Sequence, residues 1–401
     1  MNLSVNSLPS MLHLRTLVRV VDNRTLSNAA RKMLRTPSVV HDSINELEQQ
    51  LGAAVFERAP SGWSLTIEGR GVLARARRIL AELALLPPLL GQPPVSVHEQ
   101  LYLLNARRLT AFVKLCRLRN MSRVARSLGV TQPAISSAIK ALETGTEKIL
   151  FERSGHGVKP TDMAMAILPP IRRALNELNH ILPELRAMRG TVSGVVRIGA
   201  LPLGRTRLIP QAIASLLSEH PFVQVETMES SFEQLEADLR AGDLDIIFGA
   251  LRSSTNSELQ GEALLEEDLV ILVRVGHPLL KTRHLQLKAL DNVCWILPRQ
   301  ASPARELIER CFAQQALALP KAAVESGDMA IIRGLLARTD WLAVVSSHQF
   351  DTDLVNGELV KLPLALEHTR RAIGLLTRRN ALHPPAVAAL IAALRQVAGD
   401  M

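Results

Sequence analysis

The sequence repeats itself at a fixed offset of 95 residues. The two copies align without a gap, and the residues that they share span the whole unit. They are Leu14, Val18, Arg24, Ser27, Ala30, Arg31, Thr36, Ile44, Leu47, Glu48, Phe56, Glu57 and Arg58 in the first copy, and Leu109, Val113, Arg119, Ser122, Ala125, Arg126, Thr131, Ile139, Leu142, Glu143, Phe151, Glu152 and Arg153 in the second. Such a repeat predicts one supersecondary unit that is built twice.

The second copy indicates what the unit is. A leading apolar stripe at helical spacing is followed by a short helix that Ser122 opens and Gly129 ends. Thr131, a good N-cap residue, then opens a third helix that has Pro133 near its first turn. Two short helices joined by a tight turn, after a leading helix, are typical of a helix-turn-helix.

The residues after the third helix predict a small β-wing. They comprise Phe151-Glu152-Arg153 and the turn-forming Gly155, Gly157 and Pro160. The pattern alone is also compatible with a three-helix bundle that serves protein contacts.

The charge distribution favours DNA. Residues 1–190 carry 26 Lys and Arg against 14 Asp and Glu, a net charge of +12, whereas residues 191–401 carry 21 against 24, a net charge of −3. The basic excess therefore lies entirely in the repeated half, as a phosphate-binding surface requires. Only 3% of residues are aromatic, which leaves no stacking platform for single strands.

The composition predicts a globular, cytoplasmic protein. With 401 residues, 47% of them hydrophobic, the chain can bury several cores. No apolar run has the length of a membrane span, and the first residues lack the pattern of a signal peptide. We therefore expect no membrane partner.

The three cysteines predict neither a disulfide scaffold nor a metal site. Cys116, Cys294 and Cys311 show no CxxC spacing and no paired histidine. We expect buried, inert thiols, with a redox pair of Cys294 and Cys311 as the alternative. No cofactor and no metal are expected.

Helices and a linker connect the repeats to the rest of the chain. A helix is predicted from about Glu68 to Leu86, followed by a linker rich in Pro and Gly. A longer helical stretch then reaches about Arg189, with apolar residues every three or four positions from Ile171 to Met188. That stripe suits pairing with a partner helix in a homodimer, or packing on its own domain. Its three prolines predict a kink or a break.

After residue 195 strands alternate with helices, which predicts a mainly parallel, doubly wound α/β domain. Predicted strands lie at 195–199, 223–226, 244–249, 269–275, 295–297, 322–325, 342–345 and 371–376, and predicted helices at 209–217, 232–240 and 384–397.

These motifs resemble the LysR-type bacterial transcriptional regulators. In the second copy the resemblance rests on Val130-Thr131-Gln132-Pro133-Ala134-Ile135-Ser136, Leu142-Glu143 and Phe151-Glu152-Arg153, and the first copy carries a variant of the same motif. In the C-terminal half it rests on Val196-Arg197-Ile198-Gly199, Gly276-His277-Pro278-Leu279 and Ile373-Gly374-Leu375-Leu376-Thr377-Arg378. Gly249-Ala250-Leu251-Arg252 and the closing run are most similar to the galactose-binding-protein regulator branch. Ordinary members have one DNA-binding unit, whereas this chain has two.

The resemblance implies tandem winged helix-turn-helix units, an all-α part, followed by a two-lobed, periplasmic-binding-protein-like α/β effector domain. The expected boundaries are 8–68 for the first unit, 69–104 for a helix and linker, 105–162 for the second unit, 163–190 for a linker helix and 191–401 for the effector domain, with lobe one at 191–271 and 372–401 and lobe two at 272–371. The expected partners are double-stranded DNA, a small-molecule effector such as a sugar or small organic acid, and further copies in a homodimer or homotetramer.

The candidate DNA-binding residues lie mainly on the third helix of each unit. They are Thr131, Gln132, Pro133, Ser136, Ser137, Lys140 and Arg153 in the second unit, and Arg35, Thr36, Ser38 and His41 in the first. The third helix of the second unit presents polar side chains at its start. The third helix of the first unit carries Asp42, Glu46 and Glu48 and no basic residue. We therefore expect the second copy to read bases, and the first mainly to stabilise the assembly or to grip flanking backbone through Arg70, Arg75, Arg77 and Arg78.

The effector is expected between the lobes, at the carboxyl ends of strands. The candidate residues are Leu201, Pro202, Leu203, Gly204, Arg205, Ala250, Gln300, Ser302, Ser326 and Ser346. No catalytic residue is expected, because no nucleophile elbow, zinc motif, dinucleotide fingerprint or phosphate loop occurs in the chain. The alternatives are an architectural DNA protein without a ligand and, less favoured, an α/β enzyme tethered to DNA.

Overall fold

A computed structural model describes residues 8–59, 62–93, 100–154, 157–252, 257–300 and 302–400. In the first unit the elements are α1 (Met11–Asp22), α2 (Leu26–Lys32), α3 (Pro37–Leu51), β1 (Phe56–Ala59), β2 (Gly62–Leu65), α4 (Ile67–Leu83) and α5 (Leu86–Leu89). Thr25 caps α2 by accepting from Asn28 N, and Thr36 caps α3 by accepting from Val39 N. Gly52 ends α3 with a left-handed backbone, φ 61°, which glycine adopts without steric cost.

The second unit repeats this architecture. Its elements are α6 (Ala106–Leu118), α7 (Met121–Leu128), α8 (Gln132–Thr146), β3 (Phe151–Ser154), β4 (Gly157–Pro160) and α9 (Asp162–Met188). Asn120, not the predicted Ser122, opens α7, because its carboxamide oxygen accepts from Arg123 N at 2.9 Å. In each unit two antiparallel strands form the wing. The prediction of two winged helix-turn-helix units is confirmed.

Of the kink or break predicted in the last helix of this half, the break is wrong. α9 runs without interruption through Pro169, Pro170 and Pro183. Each proline removes one backbone hydrogen bond, but the apolar face of α9 is buried against α4 and offsets that loss. Ile171 and Leu178 are fully buried, and α4 and α9 share one core with the helices of both units. The stripe predicted for a partner chain is therefore covered by α4 of the same chain.

The remaining elements form two lobes. They are β5 (Ser193–Ala200), α10 (Leu208–Glu219), β6 (Phe222–Met228), α11 (Phe232–Ala241), β7 (Ile246–Ala250), β8 (Leu259–Glu267), β9 (Leu269–Arg274), β10 (Trp295–Leu297), α12 (Pro303–Gln314), β11 (Ala322–Glu325), α13 (Met329–Leu336), β12 (Leu342–Ser346), α14 (Asp351–Val355), β13 (Leu359–Lys361), β14 (Arg371–Arg378) and α15 (Pro385–Gly399). The first lobe has the strand order β6-β5-β7-β14-β8, and the second has β11-β10-β12-β9-β13.

Both sheets are mixed, so the prediction of a mainly parallel sheet is wrong. β5 pairs in parallel with β6 and β7, and β10 does so with β11 and β12, but β14 and β9 pair antiparallel with their neighbours. The chain crosses to the second lobe at Asp268, between β8 and β9 and a few residues before the expected lobe boundary at residues 271 and 272. The strand β8 was not predicted. β8 is a largely exposed edge strand and lacks a continuous apolar run.

No helix in the described part of the chain combines the length and apolar character needed to cross a bilayer.

Candidate nucleic-acid interface and effector cleft

The predicted base-reading residues of the second unit lie on one face of α8. Gln132, Pro133, Ser137 and Lys140 are exposed and Ser136 is half-buried. The opposite face is apolar and packs into the core through Ile135, Ile139 and Leu142. The packing of that face fixes the outward direction of the polar side chains, which form a continuous surface over more than two helical turns.

The start of α8 keeps its polar side chains accessible. Thr131 holds the N-cap position and is exposed, but its side chain makes no capping hydrogen bond. Gln132 Nε2 lies 3.8 Å from the sulfur of Met121, a weak contact that a base edge can replace. Bidentate pairing of a glutamine side chain with adenine is a recurrent form of base readout.

In the first unit the predicted residues are exposed as well, but most bond to one another. The hydroxyl groups of Thr36 and Ser38 lie 3.0 Å apart, and Thr36 also caps the helix. His41 Nδ1 lies 3.0 Å from Asn45 Nδ2 and 3.9 Å from a carboxylate oxygen of Asp42. Arg35 is exposed beside the start of α3. This surface therefore offers fewer unused polar groups.

Two glutamates that counted in the sequence argument serve the fold instead. Glu48 Oε1 accepts from Val55 N at 2.8 Å and from Phe56 N at 3.3 Å. Glu143 makes the equivalent bonds to Leu150 N and Phe151 N at 2.9 and 3.1 Å. Each carboxylate ties the third helix to its wing, so neither lies free at the recognition surface.

The charged side chains that are exposed on α3 and on α8 still differ in sign. α3 presents Asp42 and Glu46, whose side chains are 72% and 61% exposed, and Glu46 pairs with His13 at 3.1 Å. α8 presents Lys140 and no exposed carboxylate between Gln132 and Lys140. The charge contrast between the two helices is therefore retained.

Each wing contributes one candidate basic residue to the DNA-binding surface, Arg58 in the first unit and Arg153 in the second. The guanidinium of Arg58 lies 5.8 Å from the ring centroid of Trp63, a cation–π distance. Arg153 belongs to β3, but its side chain lies outside the described residues.

The leading helix of the second unit adds cations that sequence reasoning missed. An open cavity of about 820 Å³ lies between α6, α8 and α9, and Arg107, Arg108 and Lys114 line it beside Ser137 of α8. Burial lowers the pKa of Lys114, whose ammonium donates to the Ser127 carbonyl and hydroxyl at 3.3 and 3.2 Å. Arg107, Arg108 and Lys114 lie away from the buried apolar face of α6. The apolar periodicity of α6 in the sequence could have identified that face, and with it these three cations.

Of the four arginines of α4 named for backbone contacts, burial excludes Arg75, whereas Arg70, Arg77 and Arg78 keep part of their side chains exposed. Arg75 is 2% exposed, and its guanidinium binds Glu177 at 2.5 Å and Glu184 at 2.7 Å, both on α9. Arg78 lies 3.6 Å from Glu177 and donates to the carbonyl of Asn380, and Arg77 binds Asp22 at 2.7 Å. Arg70 is exposed and donates to the Leu65 carbonyl.

In the effector half, the loop after β5 is less open than predicted. Leu203 and Gly204 are buried, and a Cβ on Gly204 would lie 2.3 Å from the ring of Phe248. The backbone amide of Leu201 donates to Phe248 O, that of Gly204 to Leu201 O and that of Arg205 to Pro202 O. These N–H groups are therefore already used, and α10 begins only at Leu208. Pro202 is half-buried.

The candidate serines also have partners. Ser302 caps α12 by accepting from Arg305 N at 3.3 Å, and Ser326 accepts from Asp328 N at 3.0 Å. Both hydroxyl protons stay available for a ligand. Ser346 is buried and donates to Glu267, which also binds Arg371 at 2.7 Å.

The other two candidates differ in setting. Gln300 is exposed at the end of the loop after β10. Ala250 and Leu201 line a cavity of about 10 Å³ in the first lobe, room for one water at most.

The two lobes touch at the edge of the cleft and at the crossings. Arg207 Nη1 lies 2.9 Å from Asp351 of the second lobe, and the Thr206 hydroxyl donates to His348 O. At the crossings the fully buried Thr369 accepts from Leu269 N and donates to Leu366 O. The hydrogen bond from Ser346 of β12 to Glu267 of β8 also joins the second lobe to the first.

The cysteines are only partly as expected. Cys116 and Cys311 are buried, and burial raises the pKa of Cys116 to about 12 and that of Cys311 above its ordinary value. Cys294 is exposed, so the expectation of a buried thiol is wrong there. It directly precedes the short strand β10, at a position that faces solvent.

Family comparisons match both halves of the chain. The bacterial regulatory helix-turn-helix family described as lysR matches residues 11–70 and again 106–165, and the LysR substrate binding domain matches residues 189–399. The HTH-type transcriptional regulator GalR of Pseudomonas putida strain KT2440 is 49% identical over 391 residues, 97% of this chain and 98% of the relative. The alignment with GalR thus includes both helix-turn-helix units.

Other relatives span less of the chain. The regulator GbpR of Azospirillum brasilense is 27% identical over 73% of this chain and 86% of its own length. A full-length OxyR variant from Pseudomonas aeruginosa superimposes with a TM-score of 0.56 at 21% identity, over 72% of this chain and 94% of that one. CbnR, a LysR family transcriptional regulator, superimposes with a TM-score of 0.52 at 21% identity, over 73% of this chain and 99% of that one. These structures share the fold.

Proposed function

The chain belongs to the LysR family of DNA-binding transcriptional regulators, and from that membership we propose a division of labour between its two helix-turn-helix units. In this proposal α8 reads operator bases, and the first unit supports α8 and contacts backbone. The observation that carries the proposal is the outward face of α8, which joins Gln132, Ser136, Ser137 and Lys140 without an exposed carboxylate. The equivalent face of α3 carries Asp42 and Glu46.

Phosphate contacts support this assignment. The first helix of the two-helix motif, here α7, crosses the DNA backbone while the recognition helix α8 enters the major groove. α6 offers Arg107 and Lys114 beside α8, and we assign them to phosphates that flank the bases read by Gln132 and Ser136. Arg35 and Arg70 are the exposed cations that we assign to backbone contacts of the first unit.

The test is a gel-shift titration with operator DNA at one fixed salt concentration. Arg107→Ala should weaken binding to operator and to unrelated DNA by similar factors, because a phosphate contact carries no sequence information. Gln132→Ala should weaken operator binding alone. Equal losses on both DNAs from Gln132→Ala would contradict the assignment of α8 to base readout.

We place the effector between the lobes, against the loops after β10 and β11. The support is that Ser302 caps α12 and Ser326 precedes the N-cap of α13, both with hydroxyl protons to donate, and that Gln300 is exposed in the loop after β10. A sugar or a small organic acid fits such donors. The buried Leu203 and Gly204 support the first lobe rather than touch the ligand.

Ser302→Trp should fill the cleft and abolish the effector response of a reporter while DNA binding persists. Ser302→Ala is the matched control, since it also removes the α12 cap, at a cost of about 1 kcal/mol, but leaves the cleft open. An unchanged response with tryptophan would remove Ser302 from the site.

We further propose a cytoplasmic homo-oligomer that responds to this effector. The relatives are named as transcriptional regulators, which supports a regulator over a DNA-tethered enzyme. Because α9 is covered by α4, association between chains falls to the effector domains. Light scattering of the full chain measures the mass of the assembly. A monomer at micromolar concentration would contradict the proposed homo-oligomer.

A further inference from the structure

We infer that α4 and α9 pair within one chain about a pseudo-two-fold axis, so that a single chain carries a complete pair of DNA-binding units. The inference rests on the proposed function only for what the pair does on DNA. The pairing itself rests on the contacts between the two helices.

The two helices run antiparallel. Near one end, Gly71 of α4 lies against Met188 and Glu184 of α9. Near the other, Glu82 binds Arg173 at 2.9 Å. Residue numbers thus rise along α4 as they fall along α9, as they must for two helices related by a two-fold axis perpendicular to both.

Two ion pairs identify the axis. Arg78 lies 3.6 Å from Glu177, and Glu82 lies 2.9 Å from Arg173. Arg173 is Arg78 moved by the 95-residue offset, and Glu177 is Glu82 moved by the same offset. The exchange of the two repeats therefore turns one ion pair into the other, which is the signature of a two-fold interface.

One further group makes the interface unequal. Arg75 binds both Glu177 and Glu184, but its equivalent in the second copy is Pro170 and the equivalent of Glu184 is Leu89. If α9 paired with α9 of another chain, Glu184 would face Pro170 and lose its cation. A carboxylate with no partner at a largely buried junction is costly, so this charge pattern favours α4 against α9.

The consequence for DNA is that one chain presents two recognition helices in two-fold relation. Two-fold proteins place their units on half-sites about one helical turn apart, 10–10.5 bp. Here the two units differ in sequence, so we expect one chain to cover two neighbouring half-sites and to read only one of them strongly.

Cysteine cross-linking tests the pairing. In a Cys294→Ser background, Gly71→Cys and Met188→Cys place thiols at two contacting, accessible positions. A short bis-maleimide should join them within one chain, giving a product at monomer mass on a denaturing gel whose yield does not change over a hundredfold range of protein concentration. The cross-linked protein should bind operator within about threefold of the untreated one.

The single variants Gly71→Cys and Met188→Cys are the controls and should give no covalent dimer. A covalent dimer from either single variant or from the double variant would overturn the inference, as would a double variant that gives no cross-link. Loss of DNA binding by the monomeric cross-linked product would show that the units must separate on DNA. Failure of α8 to read bases would sink the proposed function but leave the mass of the cross-linked product unchanged.

Discussion

The two helix-turn-helix units share part of their buried framework and differ at the surface that faces outward. Leu14, Ala30, Ile44 and Leu47 recur as Leu109, Ala125, Ile139 and Leu142, all of them buried. Both keep the glutamate that ties the third helix to the wing, Glu48 and Glu143. The outward-facing positions of α3 and α8 correspond through the 95-residue offset. There α3 carries Pro37, His41, Asp42 and Asn45, and α8 carries Gln132, Ser136, Ser137 and Lys140.

This contrast teaches that fold and readout are separable within one chain. The glutamates that tie the third helices to the wings, and the Arg78–Glu177 and Glu82–Arg173 ion pairs of the α4–α9 interface, retain their chemistry in both copies, since each contact there stabilises the fold. The positions that would meet DNA do not, because one unit can supply the base contacts while the other supplies the paired scaffold. The predictions below test that separation, beginning with the largest effect.

Arg75→Met should destabilise the repeated half the most. It leaves Glu177 and Glu184 without their shared cation, and breaking a buried ion pair in this way costs about 3–5 kcal/mol. Arg77→Met, two residues along the same helix, is the matched control, because its pair with Asp22 is exposed and contributes about 0–1 kcal/mol. Calorimetric unfolding of the full chain measures both, and equal losses would disprove the special role of Arg75.

Gln132→Ala with Ser136→Ala should reduce operator affinity at least tenfold. Each lost base contact costs about 1–3 kcal/mol. His41→Ala with Asp42→Ala, in the first unit, should change affinity little. Gel-shift titrations at one fixed salt concentration compare the pairs, and a larger loss from the first-unit pair would reverse the assignment.

His180→Leu should make stability less sensitive to acid. Burial, then the charge of Arg75 and other arginines, lowers the pKa of His180 from 6.5 to about 3. Between those values the unfolded chain binds a proton that the folded one excludes, so the wild type loses stability as pH falls below 6.5, by about 1 kcal/mol at pH 5.5. Leucine occupies the equivalent position 85 in the first copy.

The measured quantity is the free energy of unfolding of the variant minus that of the wild type, taken at a series of pH values. Burial raises the pKa of Asp245 to about 6, which favours the folded state at low pH and opposes the effect of His180. That contribution cancels in the difference. A difference that is flat between pH 7 and pH 5 would show that His180 is not held neutral.

Lys140→Asn and its mirror, Asn45→Lys, should have the smallest effects. Each exchanges the residues found at equivalent positions of the two recognition helices. Loss of one phosphate contact lowers the slope of log affinity against log salt by about 0.9, and a gain raises it by as much. Salt titrations of DNA binding read these slopes, and no change from Lys140→Asn would place that lysine away from phosphate.

Sequence patterning predicted the repeat units well, because helix periodicity and capping residues are local. Thr36 caps its helix and Gly129 ends α7 with a left-handed backbone, both from short-range geometry. Patterning missed the exposed edge strand β8 and the continuity of α9 through three prolines. Both depend on tertiary pairing, which a local pattern does not contain.

The roles of charged residues were harder to predict than their positions. Arg75 was named for a phosphate contact and Glu48 for a carboxylate that repels phosphate, yet both are engaged inside the protein. The signal for the α4–α9 pairing was present in the offset, since Arg78 and Glu82 recur as Arg173 and Glu177. A repeat that extends through a linker helix predicts that the two copies of that helix face each other.

Selection of bound sequences from a randomised DNA library tests the central claim most directly. The wild type should enrich a motif with one well-defined half-site beside a weakly defined one, because only α8 reads bases. Gln132→Ala with Ser136→Ala should erase the defined half-site, and His41→Ala with Asp42→Ala should leave the motif unchanged. Survival of the defined half-site in the Gln132→Ala with Ser136→Ala variant, or loss of the motif in the first-unit variant, would contradict the account.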